Sequence, residues 1–353
     1  MDRPLPTLSD VAQRAGVSYA TADRVVNARG GVAEKSASRV RAAIEELGYV
    51  RNLAAANLSQ QRHYRFVAVL PGGDNAFFKR MCGLLEAAAD RLRPDRVGLT
   101  VETVEAFDAP ALCARLEALG GDGVDGLALV GSDDPRVLAA IADLRARGIP
   151  VLTLVSDVPG ADSNGYVGID NTVAGRTAGR LIVLAHGGQP GRVLPVVGAL
   201  SARDHADRVA GLRAVIRPRI AVAPVIEGRD RKGRVAKRVA AALQADPGIT
   251  AIYSAGAGNA GLIKVLESLP RDRPRPIVVL HELVPHSRRA LERGLIDIVI
   301  DQRPEDAVAR VVEGLRLLAD KRELARTDPI LPTIYLADNL PASDTSQKGE
   351  TSP

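Results

Sequence analysis

A chain of 353 residues is too long for one small domain, and its 46% apolar content is that of a globular protein rather than a disordered one. Lys and Arg number 47 against 42 Asp and Glu, and the resulting charge of +5 permits nucleic-acid binding without demanding it. The two cysteines, Cys82 and Cys113, sit in helix-like apolar runs, which excludes a disulfide scaffold and a cysteine metal cluster; the N-terminus MDRPLPT has no apolar signal region and no run is long enough to span a membrane, so a cytoplasmic protein is expected.

Thr7 and Asp10 have capping-box spacing, with Asp in place of Glu, and Val11, Ala12 and Ala15 follow at helical intervals. Gly16 supplies a turn, Val17 an apolar plug, and Ser18 a cap for a second helix that turns Ala22, Val25 and Val26 inward. Tyr19, Ala20, Asp23, Arg24 and Asn27 are left on the outer face. The pattern is a helix-turn-helix, whose second helix enters the DNA major groove, although any small helical hairpin shows the same two helices. Ser36 to Tyr49 is a third amphipathic helix whose Val40, Ala43, Ile44 and Leu47 complete a small core, and Asn52 to Gln61 is a short Ala/Leu/Asn helix. Residues 1–62 hold nine basic and six acidic side chains, a sign suited to DNA.

The succession VAQRAGVS, RVVN, LGYVRN and NLAAANLS resembles the lactose-repressor (LacI/GalR) family of transcription factors over the first 62 residues. That resemblance implies base reading by Tyr19, Ala20 and Arg24, with Arg24 able to pair with guanine and Ala20 limited to apolar contact. It implies phosphate contacts from Thr7, Ser18, Asn27 and Lys35, although a capping serine needs no DNA to explain it. It makes 52–61 a hinge helix, with Leu58 wedged into the minor groove and Ala55 one turn before it, unless Leu58 instead packs between headpiece and body. A homodimer on a pseudo-palindromic operator of double-stranded DNA follows. The expected division is 1–50 headpiece, 51–63 hinge, 64–341 body and 342–353 disordered tail; the tail lacks a leucine heptad, which favours a dimer.

From Arg65 strand-like runs (66–70, 98–106, 126–131, 150–155) alternate with helix-like runs (77–92, 110–119, 135–147). A second set follows: helix 171–186, strand 192–198, helix 206–216, strand 220–226, helix 233–245, strand 250–254, helix 259–268 and strand 276–281. Helix 286–293, strand 296–301, a helix from Pro304 to about Lys321 and strand 332–341 complete the body. The fold class is therefore a small all-α headpiece plus an α/β body of two doubly wound parallel-sheet lobes with a ligand cleft between them. The body resembles the periplasmic-binding-protein type I fold from about Tyr64 to Pro341.

That resemblance implies a polar effector, a sugar or polyol, held between the lobes. DNAFF at 74–78 resembles the first ligand loop of ribose-type receptors, with Asn75 as a hydroxyl binder and Phe77 or Phe78 as a stacking face, the other Phe serving the core. Strand ends add Ser156, Asp157, Arg208, Asn259, His281, Glu282 and Gln302. Asp157 before Val-Pro can equally form a turn, Asn259 can cap its helix, and Arg208 can lie on a helix surface or pair with Glu282. Val155-Ser156 and His281-Glu282 stand where ribose receptors carry Asp-Arg and an aromatic followed by Asp, so the pocket is not a copy of a pentose site. The five histidines have no metal-ligand spacing and no nucleophile elbow or phosphate loop occurs, so neither enzyme, metal nor cofactor is expected. A regulator, most simply a repressor, is the main expectation. A ligand-independent DNA binder and a transport receptor are the alternatives.

Overall fold

The structure, a computed structural model, describes residues 6–26, 30–49, 63–216, 220–270, 272, 274–325 and 328–342. Asn27, Ala55, Leu58 and the helix expected over 52–61 lie outside the described residues, as does the tail beyond residue 342. The chain divides into two compact units, Met1–His63 and Tyr64–Pro353.

In the first unit α1 (Leu8–Ala15), α2 (Tyr19–Val26) and α3 (Glu34–Leu47) surround one core. The Thr7 hydroxyl oxygen accepts the Asp10 N–H at 3.3 Å while the Asp10 carboxylate accepts the Thr7 N–H at 2.7 Å, so the capping box closes in both directions. Gly16 stops α1 at φ +58°, a conformation glycine adopts without a Cβ penalty. Ser18 Oγ accepts the Thr21 N–H at 3.1 Å and starts α2. Val11, Ala15, Ala22, Val40 and Ala43 are buried, with Val25, Val26, Ile44 and Leu47 packed around them. α3 begins two residues before the expected Ser36, where Glu34 faces the positive end of the helix dipole.

The second unit opens with β1 (Tyr64–Pro71), α4 (Ala76–Leu92), β2 (Val97–Val104), α5 (Ala109–Gly120), β3 (Gly126–Leu129), α6 (Pro135–Ala146), β4 (Val151–Leu154) and β5 (Gly165–Val167). These strands form a fully parallel sheet in the order β2-β1-β3-β4-β5. Both faces of the sheet are covered, which is why FVAVL in β1 is a continuous apolar run instead of an alternating one. Asp108, Asp134 and Asp170 each cap the helix that follows, their carboxylates accepting backbone N–H groups.

A second lobe follows from α7 (Asn171–Ala185), β6 (Gly191–Val197), α8 (Arg203–Val215), β7 (Ile220–Val222), β8 (Ile226–Glu227), α9 (Lys232–Ala245), β9 (Ala251–Ser254), α10 (Asn259–Glu267), β10 (Ile277–His281), α11 (Pro285–Glu292) and β11 (Ile298–Asp301). The chain then returns to the first lobe, where α12 (Pro304–Ala319) packs Ala307, Val308, Val311 and Leu315 onto that core. It crosses back to add β12 (Thr333–Tyr335) antiparallel to β11, giving the order β12-β11-β10-β9-β6-β7 with β8 also on β6. Two of the crossings lie side by side, joined by the Ile330 N–H on the Gly168 carbonyl at 2.8 Å.

Three expectations change. The run 220–226 is two short strands, because Pro224 has no N–H to give the ladder. The run 332–341 keeps only 333–335 as strand, since the Asn339 carboxamide accepts the Leu336 N–H at 2.6 Å and bends the chain into a 3-10 turn. β5 was not expected at all, being three residues long.

Candidate functional site

On the headpiece Tyr19, Ala20 and Arg24 lie exposed along α2, with Tyr19 57% accessible. Thr7, Ser18 and Lys35 are also exposed, and the hydroxyls of Thr7 and Ser18 already serve as helix caps. Arg39 of α3 donates to the Gly16 carbonyl at 3.0 Å and holds the turn between α1 and α2. A large aromatic and an arginine on one solvent face of a short helix, its opposite face in the core, can enter a DNA groove without unfolding anything.

In the body a cavity of about 330 Å³ opens between the C-terminal ends of the two sheets. Asn75, Phe77 and Phe78 line it from the start of α4, and Ser156 from the end of β4. From the second lobe Arg208 reaches in from α8, Asn259 from the start of α10, and His281, Glu282 and Gln302 from beyond β10 and β11. Asp157 does not line the cavity. Its carboxylate accepts the Thr153 hydroxyl at 2.6 Å and the Val158 N–H at 2.9 Å, which is the turn-forming alternative raised for it above. Asn259 is held as a spacer, its carboxamide oxygen accepting from the Ser254 hydroxyl at 2.6 Å.

Arg208 is 2% exposed. Its Nε donates to Asn171 Oδ1 at 2.9 Å and its Nη1 to the Ala255 carbonyl at 2.8 Å, while Asp204 stands 3.9 Å from Nη2. Among the described residues the buried side-chain atoms without a hydrogen-bond partner are Ser156 Oγ, Arg208 Nη2, His281 Nδ1, Glu282 Oε2 and Gln302 Oε1. All five belong to residues lining this cavity. Buried polar atoms are otherwise nearly always satisfied, so this concentration is a donor and acceptor array facing one space.

The charges there are tuned by burial. Burial pushes the Glu282 carboxyl up to about 8, with the Asp301 carboxylate adding to it against the pull of Arg208, Gln302 and Arg80. Burial, then Arg208 and His205, hold His281 well below the ordinary imidazole range, so it is neutral and shares a 2.8 Å hydrogen bond between Nε2 and the Tyr253 hydroxyl. Phe107, Val155, Asp230 and Glu282 line the cavity with φ between +50° and +80°, a region non-glycine residues rarely occupy, and Val155 is β-branched.

Glu282 also sets a pH dependence. The unfolded chain releases this proton near pH 4.5 and the folded chain near 8, so the stability contributed is full below 4.5 and declines as pH rises through about 8. Glu282→Gln, neutral throughout, should flatten that decline by a few kcal/mol. Melting temperatures at pH 5 and pH 8 check it, and an unchanged gap between them would remove Glu282 as the cause.

Several lining residues were not anticipated. Phe107 sits beyond β2 with its ring centroid 6.2 Å from that of His205. Asp230 accepts from Asn75 Nδ2 at 2.8 Å and from the Ala257 N–H at 3.1 Å, tying the first lobe to the second. Arg80 on α4 does the same from the other side, donating to the Leu283 carbonyl at 3.1 Å and to Asp301 at 3.2 Å. No group of metal-ligating side chains occurs among the described residues, and no described helix is long and apolar enough to cross a membrane.

Comparison with known proteins agrees with this architecture. Residues 66–323 match the periplasmic binding protein domain, and residues 7–52 match the bacterial regulatory proteins of the lacI family. The HTH-type transcriptional regulator DegA of Bacillus subtilis is 26% identical over 59% of each chain. The maltose regulon regulatory protein MalI of Escherichia coli is 30% identical over 60% of this chain and 59% of its own. The matches thus span about six-tenths of these relatives' length. A solute-binding protein of an ABC transporter from Burkholderia graminis, in complex with D-arabinose, superposes with a TM-score of 0.72 at 25% identity, covering 78% of this chain and 96% of that one. The chain belongs to the lacI family of bacterial regulatory proteins, its headpiece followed by a periplasmic binding protein domain.

Proposed function

We propose that this protein is a cytoplasmic, homodimeric transcriptional repressor whose affinity for a pseudo-palindromic operator is set by a carbohydrate effector in the body cavity. The observation that carries the effector half is the set of five unpartnered buried polar atoms facing one cavity between two lobes. A polyol offers hydroxyls that both donate and accept, so one molecule can satisfy an arginine, an imidazole, an amide and a protonated carboxyl together. The maltose regulon relative and the D-arabinose complex support a sugar as the ligand class.

For the DNA half, Tyr19, Ala20 and Arg24 read bases, and Thr7, Ser18, Asn27 and Lys35 contact phosphates. Ala55 and Leu58 belong to a hinge segment that meets the minor groove at the centre of the site. The effector acts by favouring one arrangement of the two lobes, which changes the operator affinity. No catalytic step is assigned to the cavity.

The test selects an operator from random duplexes with the full chain, then titrates that operator with and without sugars and polyols. Arg24→Ala should lose about 1–3 kcal/mol on the selected site and far less on random DNA. An equal loss on both would make Arg24 a phosphate contact. Operator binding that no sugar or polyol alters would replace the sugar-controlled repressor by a ligand-independent one or by one with another effector class.

A further inference from the structure

The two walls of the cavity differ in chemistry. The second-lobe wall presents Arg208 Nη2, His281 Nδ1, Glu282 Oε2 and Gln302 Oε1, all without partners. The first-lobe wall is made by Val69, Val104, Phe107, Leu112 and Val130. Val69, Leu112 and Val130 are buried there, while Val104 and Phe107 are half-buried.

Polar side chains on that first-lobe wall are already committed. Asn75 accepts the N–H groups of Phe77 and Phe78 through its carboxamide oxygen and donates its amide to Asp230. Asp108 accepts the Ala111 N–H at 2.9 Å as the cap of α5. Asp74 pairs with Lys79 at 3.1 Å in an exposed position at the mouth. Ser132, half-buried, is the remaining hydroxyl. A ligand hydroxyl turned towards this wall would give up water and gain almost nothing in exchange.

Phe107 is also built into the closure of the cleft. At φ +61° its ring reaches the second lobe. A Cβ on Gly198 would stand 2.7 Å from both Phe107 Cζ and His205 Cε1, so the close approach depends on that glycine. The ring therefore caps the apolar end of the cavity against the opposite lobe.

We infer that this wall is a separate apolar subsite that takes an alkyl or aryl aglycone, so that the preferred effector is a glycoside and not a free sugar. This rests on the carbohydrate reading above and assigns the two ends of the ligand. The sugar hydroxyls face Arg208, His281, Glu282 and Gln302. The aglycone lies against Val104, Phe107 and Leu112, where burial of its carbon surface drives binding.

The experiment uses the full chain and isothermal titration. Glucose, galactose, mannose, arabinose and xylose are compared with the isopropyl and phenyl glycosides of each, in both anomeric forms. At least one sugar should bind about tenfold or more tightly as its glycoside than when free. Val104→Thr is isosteric and places a hydroxyl on the wall, and Phe107→Ser removes the ring; each should reduce that gain several-fold. Melting curves establish that both variants fold, and Val104→Thr decides alone if Phe107→Ser does not.

Free sugars binding as tightly as their glycosides would overturn the apolar subsite and leave the sugar-effector function standing. A glycoside gain untouched by Val104→Thr and Phe107→Ser would place the aglycone elsewhere and overturn it equally. No binding by either series, with operator binding intact, would remove the carbohydrate reading and this subsite with it.

Discussion

Gly175→Ala should destabilise the body by more than about 3 kcal/mol, because the added methyl has nowhere to go. A Cβ at Gly175 of α7 would fall deep inside van der Waals contact of the Arg208 carbonyl oxygen and 2.8 Å from the Arg208 Cα. Those are backbone atoms of α8, and no rotamer change moves them. Gly211 answers from α8, where a Cβ would meet the Thr172 carbonyl, and one at Gly179 would stand 2.5 Å from Val215 Cγ2. The two helices thus touch backbone to backbone through three glycines, and the contact fixes where Arg208 leaves α8. Gly83→Ala on α4 is the control: its Cβ meets nothing within 4 Å, and in a helix the change should be neutral or stabilising by roughly 0.5–1 kcal/mol. Thermal and urea unfolding of both variants measure the difference. If the two melt alike, the α7–α8 spacing is not set by these glycines.

That packing shows which parts of the molecule can be read without coordinates. The alternation of apolar runs with amphipathic ones is a property of short windows, so the headpiece helices and both sheets emerge from the sequence within a few residues of their observed ends. β5 escaped because Gly165 and Gly168 bracket only two side chains between them, too few to show a period. The cavity was partly legible for a different reason: in an open parallel sheet, residues just past strand ends face the ligand, which picks out Ser156, His281, Glu282 and Gln302. The same rule selected Asp157, but one residue beyond Ser156 the chain turns and its carboxylate folds back onto Thr153.

Phe107 and Asp230 lay beyond that reach. The run 98–106 reads as strand to its end, so the loop that carries Phe107 into the cleft begins two residues earlier than its sequence suggests. Asp230 lies in the charged stretch GRDRKG, which reads as solvated surface. Its meaning comes from Asn75, 155 positions away, and no local pattern contains that pairing.

Arg208→Met should abolish the response to effector, weakening effector binding by at least about 3 kcal/mol while costing the fold a similar amount. Two effects are superposed in that number. The variant removes Nη2, the one cation among the five unpartnered buried atoms, and so the donor pair a polyol edge would meet. It also strips Asn171 Oδ1 and the Ala255 carbonyl of their donors and leaves the buried Asp204 without a cation nearby. Arg208→Lys separates them. A lysine keeps the charge near Asp204 and can restore part of the stability, but a point cation cannot reach Asn171, Ala255 and a ligand at once as the planar guanidinium does. The lysine variant should therefore recover melting temperature without recovering effector affinity. If affinity returns with stability, Arg208 supports the fold of the cavity wall and does not itself hold the ligand; if neither returns, the directional bonds to Asn171 and Ala255, more than the charge, keep α8 against the sheet.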